Sequence, residues 1–179
     1  MIRRVVLTGG PGAGKTTLLA ELAGLGYGTV AESAREVIAQ RLARGQTPRP
    51  EAETFAREIL CRDIEKYGAL HTAGAVVFFD RSLIEALGML IEAAPPPEAA
   101  LNATLKAYPF HGTVFVLPPW KEIYRTDAER DHTFAHAQRV HADLVRWYRR
   151  CGYSLHELPR VGVAERARHV LRVLASGDG

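Results

Sequence analysis

Between the apolar run Val5-Val6-Leu7 and a helix-forming stretch that begins at Lys15, the chain carries Gly9-Gly10-Pro11-Gly12-Ala13-Gly14-Lys15-Thr16, a complete G-x-x-x-x-G-K-[ST] pattern. The glycines let the backbone curl until successive amide N–H groups point inward, and a helix opening at Gly14 adds the positive end of its dipole to the same concavity. Phosphate is the ligand such a concavity suits. The pattern needs a strand to deliver the loop and a helix to carry it away, which commits the N-terminal part of the chain to a strand–loop–helix unit of an α/β sheet. Gly10, Pro11, Gly12, Ala13, Gly14, Lys15, Thr16 and Thr17 are the expected nucleotide contacts. Lys15 can reach the β- and γ-phosphates, and Thr16 offers a hydroxyl to Mg²⁺, a hard cation that takes oxygen ligands.

The rest of the sequence extends this unit into one domain over residues 1–179, a length that supports a full core. Strands are expected at 3–8, 28–31, 75–80, 113–117 and 154–158, the last at a sheet edge. Helices are expected at 15–25, 33–44, 50–70, 82–94, 98–107, 133–151 and 163–175. Two of these open on apparent capping boxes, Ser33-x-x-Glu36 and Ser82-x-x-Glu85. In the helix over 133–151 the residues Phe134, Ala137, Val140, Leu144, Trp147 and Cys151 recur at helical spacing and form its expected buried stripe. The alternation predicts a parallel sheet of about five strands with right-handed crossovers and ligands at the carboxyl ends of the strands.

Charge and cysteine usage narrow the class. A formal charge of +3 and a pI near 9.0 suit an anionic ligand but fall short of a nucleic-acid-binding surface, and no aromatic interleaving supports one. Cys61 and Cys151 form no Cys-x-x-Cys pair, so both are expected as buried small apolar residues in a reducing compartment. No run approaches the roughly 18 apolar residues of a membrane span. A cytoplasmic location is expected, with no membrane span and no nucleic-acid partner; the sequence is silent on oligomeric state.

Several polar residues fall where the sheet would bring them together. Asp80 closes a buried strand beside the phosphate loop, where a carboxylate can hold Mg²⁺ or take a proton from an attacking hydroxyl. Arg81, next in sequence, suits an anionic substrate or a neighbouring carboxylate. Glu32 follows the second strand and is placed to accept a hydrogen bond from a substrate hydroxyl, with Arg35 one turn later as an opposite wall. Arg125 and Arg130 lie in a hydrophilic segment, part of an expected lid over 119–135 that could bring cations onto a transferring phosphoryl group. Trp120 can stack on a substrate ring or pack under the loop. His132 and His136 have an i, i+4 spacing that would suit zinc, but no third ligand matches them.

With these residues in hand, the chain resembles the small P-loop, kinase-like ATPases labelled as an AAA-type domain and related to the ribosylnicotinamide kinase part of NadR proteins. The resemblance spans nearly the whole length. It is carried by Thr8-Gly9-Gly10-Pro11-Gly12-Ala13-Gly14-Lys15-Thr16-Thr17, by Glu32-Ser33-Ala34-Arg35-Glu36-Val37-Ile38, by Phe79-Asp80-Arg81-Ser82, and by Tyr124-Arg125-Thr126-Asp127-Ala128-Glu129-Arg130. It implies that Asp80 and Arg81 serve metal, base or substrate as in nucleoside and nucleotide kinases, that Glu32 faces the acceptor hydroxyl, and that Arg125 and Arg130 are lid arginines. The chain has no room for the helical lid domain of hexameric AAA+ machines. The expected activity is transfer of the γ-phosphoryl of MgATP to a small hydroxyl-bearing acceptor, nucleoside- or nucleotide-like, with Lys15, Asp80, Glu32, Arg125 and Arg130 catalytic. Glu32, Arg35 and Arg81 are the expected acceptor contacts, and Thr16 and Asp80 the expected metal ligands. The absence of an Asn-Lys-x-Asp motif favours ATP, with GTP as the alternative. The competing expectation is an ATP- or GTP-binding NTPase switch acting through a protein or lipid partner.

Overall fold

Strand β1 (Arg3–Gly9) lies at the centre of a five-stranded sheet and buries alternate residues against opposite layers, as a central parallel strand must. The computed structural model describes residues 2–70, 76–124 and 133–176. Around β1 the sheet adds β2 (Gly28–Val30), β3 (Val76–Asp80), β4 (Thr113–Leu117) and β5 (Ser154–Glu157), in the order β2-β3-β1-β4-β5 with every pairing parallel. The helices are α1 (Lys15–Gly24), α2 (Ser33–Ala43), α3 (Ala52–Gly68), α4 (Leu83–Ala93), α5 (Glu98–Ala107), α6 (Phe134–Arg150) and α7 (Val163–Ser176). The expected α/β fold is the observed one.

The two faces of β1 build two cores. Val5 and Leu7 pack with Leu18 and Leu22 of α1 and with Ala167 and Val170 of α7. Val6 packs on the other face with Leu83, Ile84 and Leu87 of α4 and with Tyr148 of α6. Thr8 shares the Val6 face, so its buried hydroxyl points into the α4–α6 layer. The register sets Leu7 opposite Asp80 on one side and opposite Phe115 on the other, which brings the end of β3 level with the start of the phosphate loop.

The α4–α6 seam is close. A Cβ on Gly88 would lie 2.1 Å from the Trp147 ring, so only a residue without a side chain lets the two helices meet there. Helix α3 is tied to both ends of the sheet layer: Lys66 donates to the carbonyl of Ala31 at 2.7 Å and the Tyr67 hydroxyl donates to that of Pro109 at 2.7 Å.

Four expectations change. Ser33 does not cap α2. Glu32 occupies the cap position without a side-chain cap bond, Ser33 Oγ instead donates to Asp63 at 2.5 Å, and Glu36 pairs with Lys66. The tertiary partner on α3 outcompetes the local one. Ser82 does cap α4, accepting from Ile84 N–H, but Glu85 turns inward instead of reaching back to complete the box. Cys61 is exposed and Cys151 half-buried, so neither is the buried apolar residue expected of it. Likewise the buried stripe of α6 runs through Ala137, Leu144 and Tyr148, while Phe134, Val140, Trp147 and Cys151 are only partly covered. The predicted strand start at Ala75, the lid residues 125–132 with Arg125 and Arg130, and His132 lie outside the described residues.

Candidate functional site

The phosphate loop leaves β1 at Gly9 and enters α1 through Gly14, which adopts the left-handed conformation at φ 87° that a glycine accepts readily. Pro11 to Thr17 line a cavity of about 860 Å³, the one that also holds Glu32, Arg35, Asp80 and Arg81. Gly10 is not among its lining residues. Thus every expected site residue among those described, except Gly10, lines one concavity at the carboxyl ends of the strands.

Lys15 is buried, and its ammonium donates to the carbonyls of Gly9 at 2.9 Å and Gly10 at 3.3 Å. Burial, reinforced by the Arg81 charge, lowers its pKa to about 8 against the opposing pull of Asp80, Glu32 and Glu85. Burial thus disfavours its charged form, and the nearby carboxylates only partly restore it. Thr16 and Thr17 are exposed to the cavity.

Asp80 is 8% exposed, and its Oδ1 is buried without any hydrogen-bond partner. Burial raises its pKa, with Glu32 and Glu85 adding to the rise and Lys15 and Arg81 opposing it. A desolvated carboxylate oxygen without a protein partner favours a proton or a cation beside it. Asp80 and Thr16 line the same cavity, and their oxygens are of the hard type that would fit Mg²⁺. Among the described residues no group of three His, Cys, Asp or Glu side chains forms a metal cluster, and His132 lies outside them.

Arg81 is the hub of the opposite wall. It is the one described non-glycine residue with positive φ, at 70°, a conformation that costs about 1–2 kcal/mol for an L-residue. Three contacts hold it there: its N–H donates to Leu7 carbonyl at 3.0 Å, its guanidinium pairs with Glu32 at 3.1 Å, and it bonds Glu85 on the next turn. Glu32 is therefore gripped from both sides, by Arg81 on Oε1 and by Arg35 at 3.0 Å on Oε2. Burial pushes the Glu32 carboxyl up, but Arg81, Lys15 and Arg35 together outweigh it and hold the group below the usual carboxylate range. Arg81 and Arg35, both expected as acceptor contacts, are engaged with carboxylates, the second of the two partners expected for Arg81.

Sequence reasoning missed the layer beneath. Glu85 is 6% exposed and accepts from Thr8 Oγ1 at 2.5 Å and from the Tyr148 hydroxyl at 3.1 Å as well as from Arg81. Ser82 Oγ, 2.8 Å from the Tyr148 hydroxyl, closes the network. The i, i+4 spacing of Arg81 and Glu85 is a signal that could have found the ion pair. Nothing local announces Thr8 or Tyr148. Arg166, from α7, also lines the cavity, 153 residues beyond the Ala13 carbonyl it touches.

The fold has solved counterparts. A deoxyadenosine kinase from M. mycoides, solved with dCMP and dCDP bound, aligns over 97% of this chain and 98% of its own, at TM-score 0.63 and 15% identity. A thymidylate kinase from Ehrlichia chaffeensis aligns over 97% and 98%, at TM-score 0.64 and 13% identity. At such identities the likeness is one of fold. Among proteins of curated function none matches the sequence. The sequence does match the family described as AAA domain over residues 4–166, from the first strand through the phosphate loop and both carboxylate-bearing segments to Arg166 of the last helix. With most of its length inside that match and a kinase-like P-loop sheet beneath it, the chain belongs to this AAA-domain family.

Proposed function

We propose that the protein is a phosphotransferase that moves the γ-phosphoryl of MgATP to the hydroxyl of a small nucleoside- or nucleotide-like acceptor. The observation that carries this reading is the partnerless, buried Oδ1 of Asp80 in one cavity with a complete phosphate loop. The nucleoside and nucleotide kinases of the same fold support the acceptor class. The loop amides and Lys15 would hold the donor phosphates. Thr16 and Asp80 would hold Mg²⁺, whose contribution is to neutralise charge on the phosphates. Glu32 would accept the hydrogen bond of the acceptor hydroxyl and take its proton as the new P–O bond forms. A carboxylate held ionised by two guanidinium groups is a weak base, and phosphoryl transfer through a loose transition state asks little more of it. Arg81, itself held by Glu85, keeps that carboxylate in place, and Arg35 steadies its other oxygen. Arg125 and Arg130 would close over the transferring group and exclude water. Cytoplasmic residence fits this substrate chemistry, and no described helix is long and apolar enough to cross a membrane.

The test is MgATP turnover, read as ADP release, with pooled nucleosides, nucleotides, ribosylnicotinamide and sugars. At least one pool should raise turnover by about tenfold or more, and Asp80→Asn should remove the stimulation. If the protein binds MgATP tightly and no pool stimulates it, the reading fails for those acceptors and the switch takes its place.

A further inference from the structure

Glu32 stands at the pivot between β2 and α2, where the chain is lightly held. β2 is a three-residue strand at the edge of the sheet with two of its residues exposed, and α2 buries only Ser33 and Val37. A residue in the cap position commonly ties down the start of its helix through its own side chain. Glu32 holds that position, yet its carboxylate turns to Arg81 and Arg35 and makes no cap bond. The start of α2 is therefore secured from elsewhere.

Helix α3 supplies that hold, on both sides of Glu32. Lys66 Nζ donates to the carbonyl of Ala31 at 2.7 Å and pairs with Glu36 at 2.7 Å, while Asp63 accepts from Ser33 Oγ at 2.5 Å. Asp63 and Lys66 are three residues apart, so both project from one face of α3. Ser33 is buried, and water does not compete for its hydroxyl. The other polar pairs of this seam, Arg41 with Glu58 and Arg62 with Gln40, lie toward the far end of α2. Neither Asp63 nor Lys66 is among the residues that line the cavity. We infer that Asp63 and Lys66 are positioning residues: through Ser33 and Ala31 they fix the backbone before and after Glu32 and so set where its carboxylate stands. This rests on the phosphotransfer reading above, in which Glu32 meets the acceptor hydroxyl, and adds to it the helix that places the group. A misplacement of about 1 Å at such a group costs on the order of a hundredfold in rate.

The test is a double-mutant cycle on the full-length protein, read as ADP release from MgATP with saturating pooled nucleosides and nucleotides. Lys66→Met and Asp63→Ala should each lower the stimulated kcat by about tenfold or more and leave the Kd for ADP within about twofold of the parent. In a Glu32→Ala background the same changes should cost less than about twofold, because the group they place is gone. Asp63→Asn keeps an acceptor for Ser33 and should retain at least about half of the parent kcat. Should Lys66→Met or Asp63→Ala fail to fold, as judged by circular dichroism, Ser33→Ala must reproduce the Glu32-dependent loss. An equal fractional loss with and without Glu32 would overturn the inference, since α3 would then merely hold α2 in the fold. Asp63→Asn falling as far as Asp63→Ala overturns it as well. A second readout needs no acceptor: the carbon-13 resonance of the Glu32 carboxyl, assigned by its loss in Glu32→Gln. Ser33→Ala changes no charge, yet it should raise the titration midpoint of that carboxyl as the group leaves Arg81 and Arg35. An unmoved midpoint defeats this inference alone. A parent protein that no pool stimulates brings down the phosphotransfer reading, and the titration then still decides whether α3 places the carboxylate.

Discussion

At the scale of single residues, two charged groups have opposite stories written by the same burial. Lys15 is a cation held where cations are disfavoured, with its pKa lowered to about 8. Nucleotide phosphates restore its charge, so binding and protonation are linked. The Kd for ADP is expected to be flat below pH 7 and to climb above pH 8, approaching about tenfold per unit, and Lys15→Arg should remove that climb. Titrations at several pH values measure it directly; a flat Kd to pH 9.5 in the parent protein would contradict the burial argument. Glu32 goes the other way, since Arg81, Lys15 and Arg35 together overcome its desolvation and keep it ionised. Glu32→Gln should lower kcat by about 10²–10⁴-fold while leaving ADP affinity intact, because the change touches the acceptor's proton and no donor phosphate. The parent kcat should hold level as pH falls from 8 to 5. An acid limb within that range would instead point to Asp80, whose carboxyl is raised by burial.

At the scale of elements, the seams between helices decide what the wall residues can do. On the α2–α3 seam, burial raises the pKa of Asp63 from 3.8 to about 7, partly opposed by the Ser33 hydrogen bond. The folded chain then keeps a proton between about pH 4 and 7 that the unfolded chain releases. Stability accordingly falls as pH rises through that window, the direction expected of an acid whose folded pKa is raised. Asp63→Asn retains an acceptor for Ser33 and cannot ionise, so its Tm should exceed that of the parent at pH 8 and approach it at pH 4. Thermal melts across that range decide the matter, and a parent protein that gains stability toward pH 7 relative to the variant would reverse the sign. The α4–α6 seam makes a simpler demand. Gly88→Ala would drive a methyl into the Trp147 ring and should cost about 1–3 kcal/mol, seen as a lower denaturation midpoint with an unchanged slope. That seam also carries Ser82, Glu85 and Tyr148, so the variant is expected to impair turnover along with stability.

At the scale of the whole molecule, the cavity draws on both ends of the chain, with the phosphate loop near the start and Arg166 near the end. Ligand binding should therefore stabilise the fold globally: MgADP at about 100 times its Kd should add about 2.7 kcal/mol and raise Tm by several degrees, and Lys15→Ala should abolish the rise. Much of this design was legible beforehand. The phosphate loop, the alternation of strands and helices, and the carboxylates at strand ends are local patterns with local causes: glycine conformational freedom, side-chain periodicity, and the convergence of parallel strands at their carboxyl ends. The sequence by itself therefore determined the fold class, the loop, and the positions of Glu32 and Asp80 on the binding side of the sheet. Which neighbours those groups would meet is another kind of information. Ser33 took an α3 carboxylate over its own helix, Glu85 turned inward to Arg81 and Thr8, and Arg166 came to rest on the loop across the whole length of the chain. Only the tertiary structure decided these pairings, because a desolvated charge settles with whichever partner packing places within reach, and that distance is set by layers of helices that no local spacing encodes.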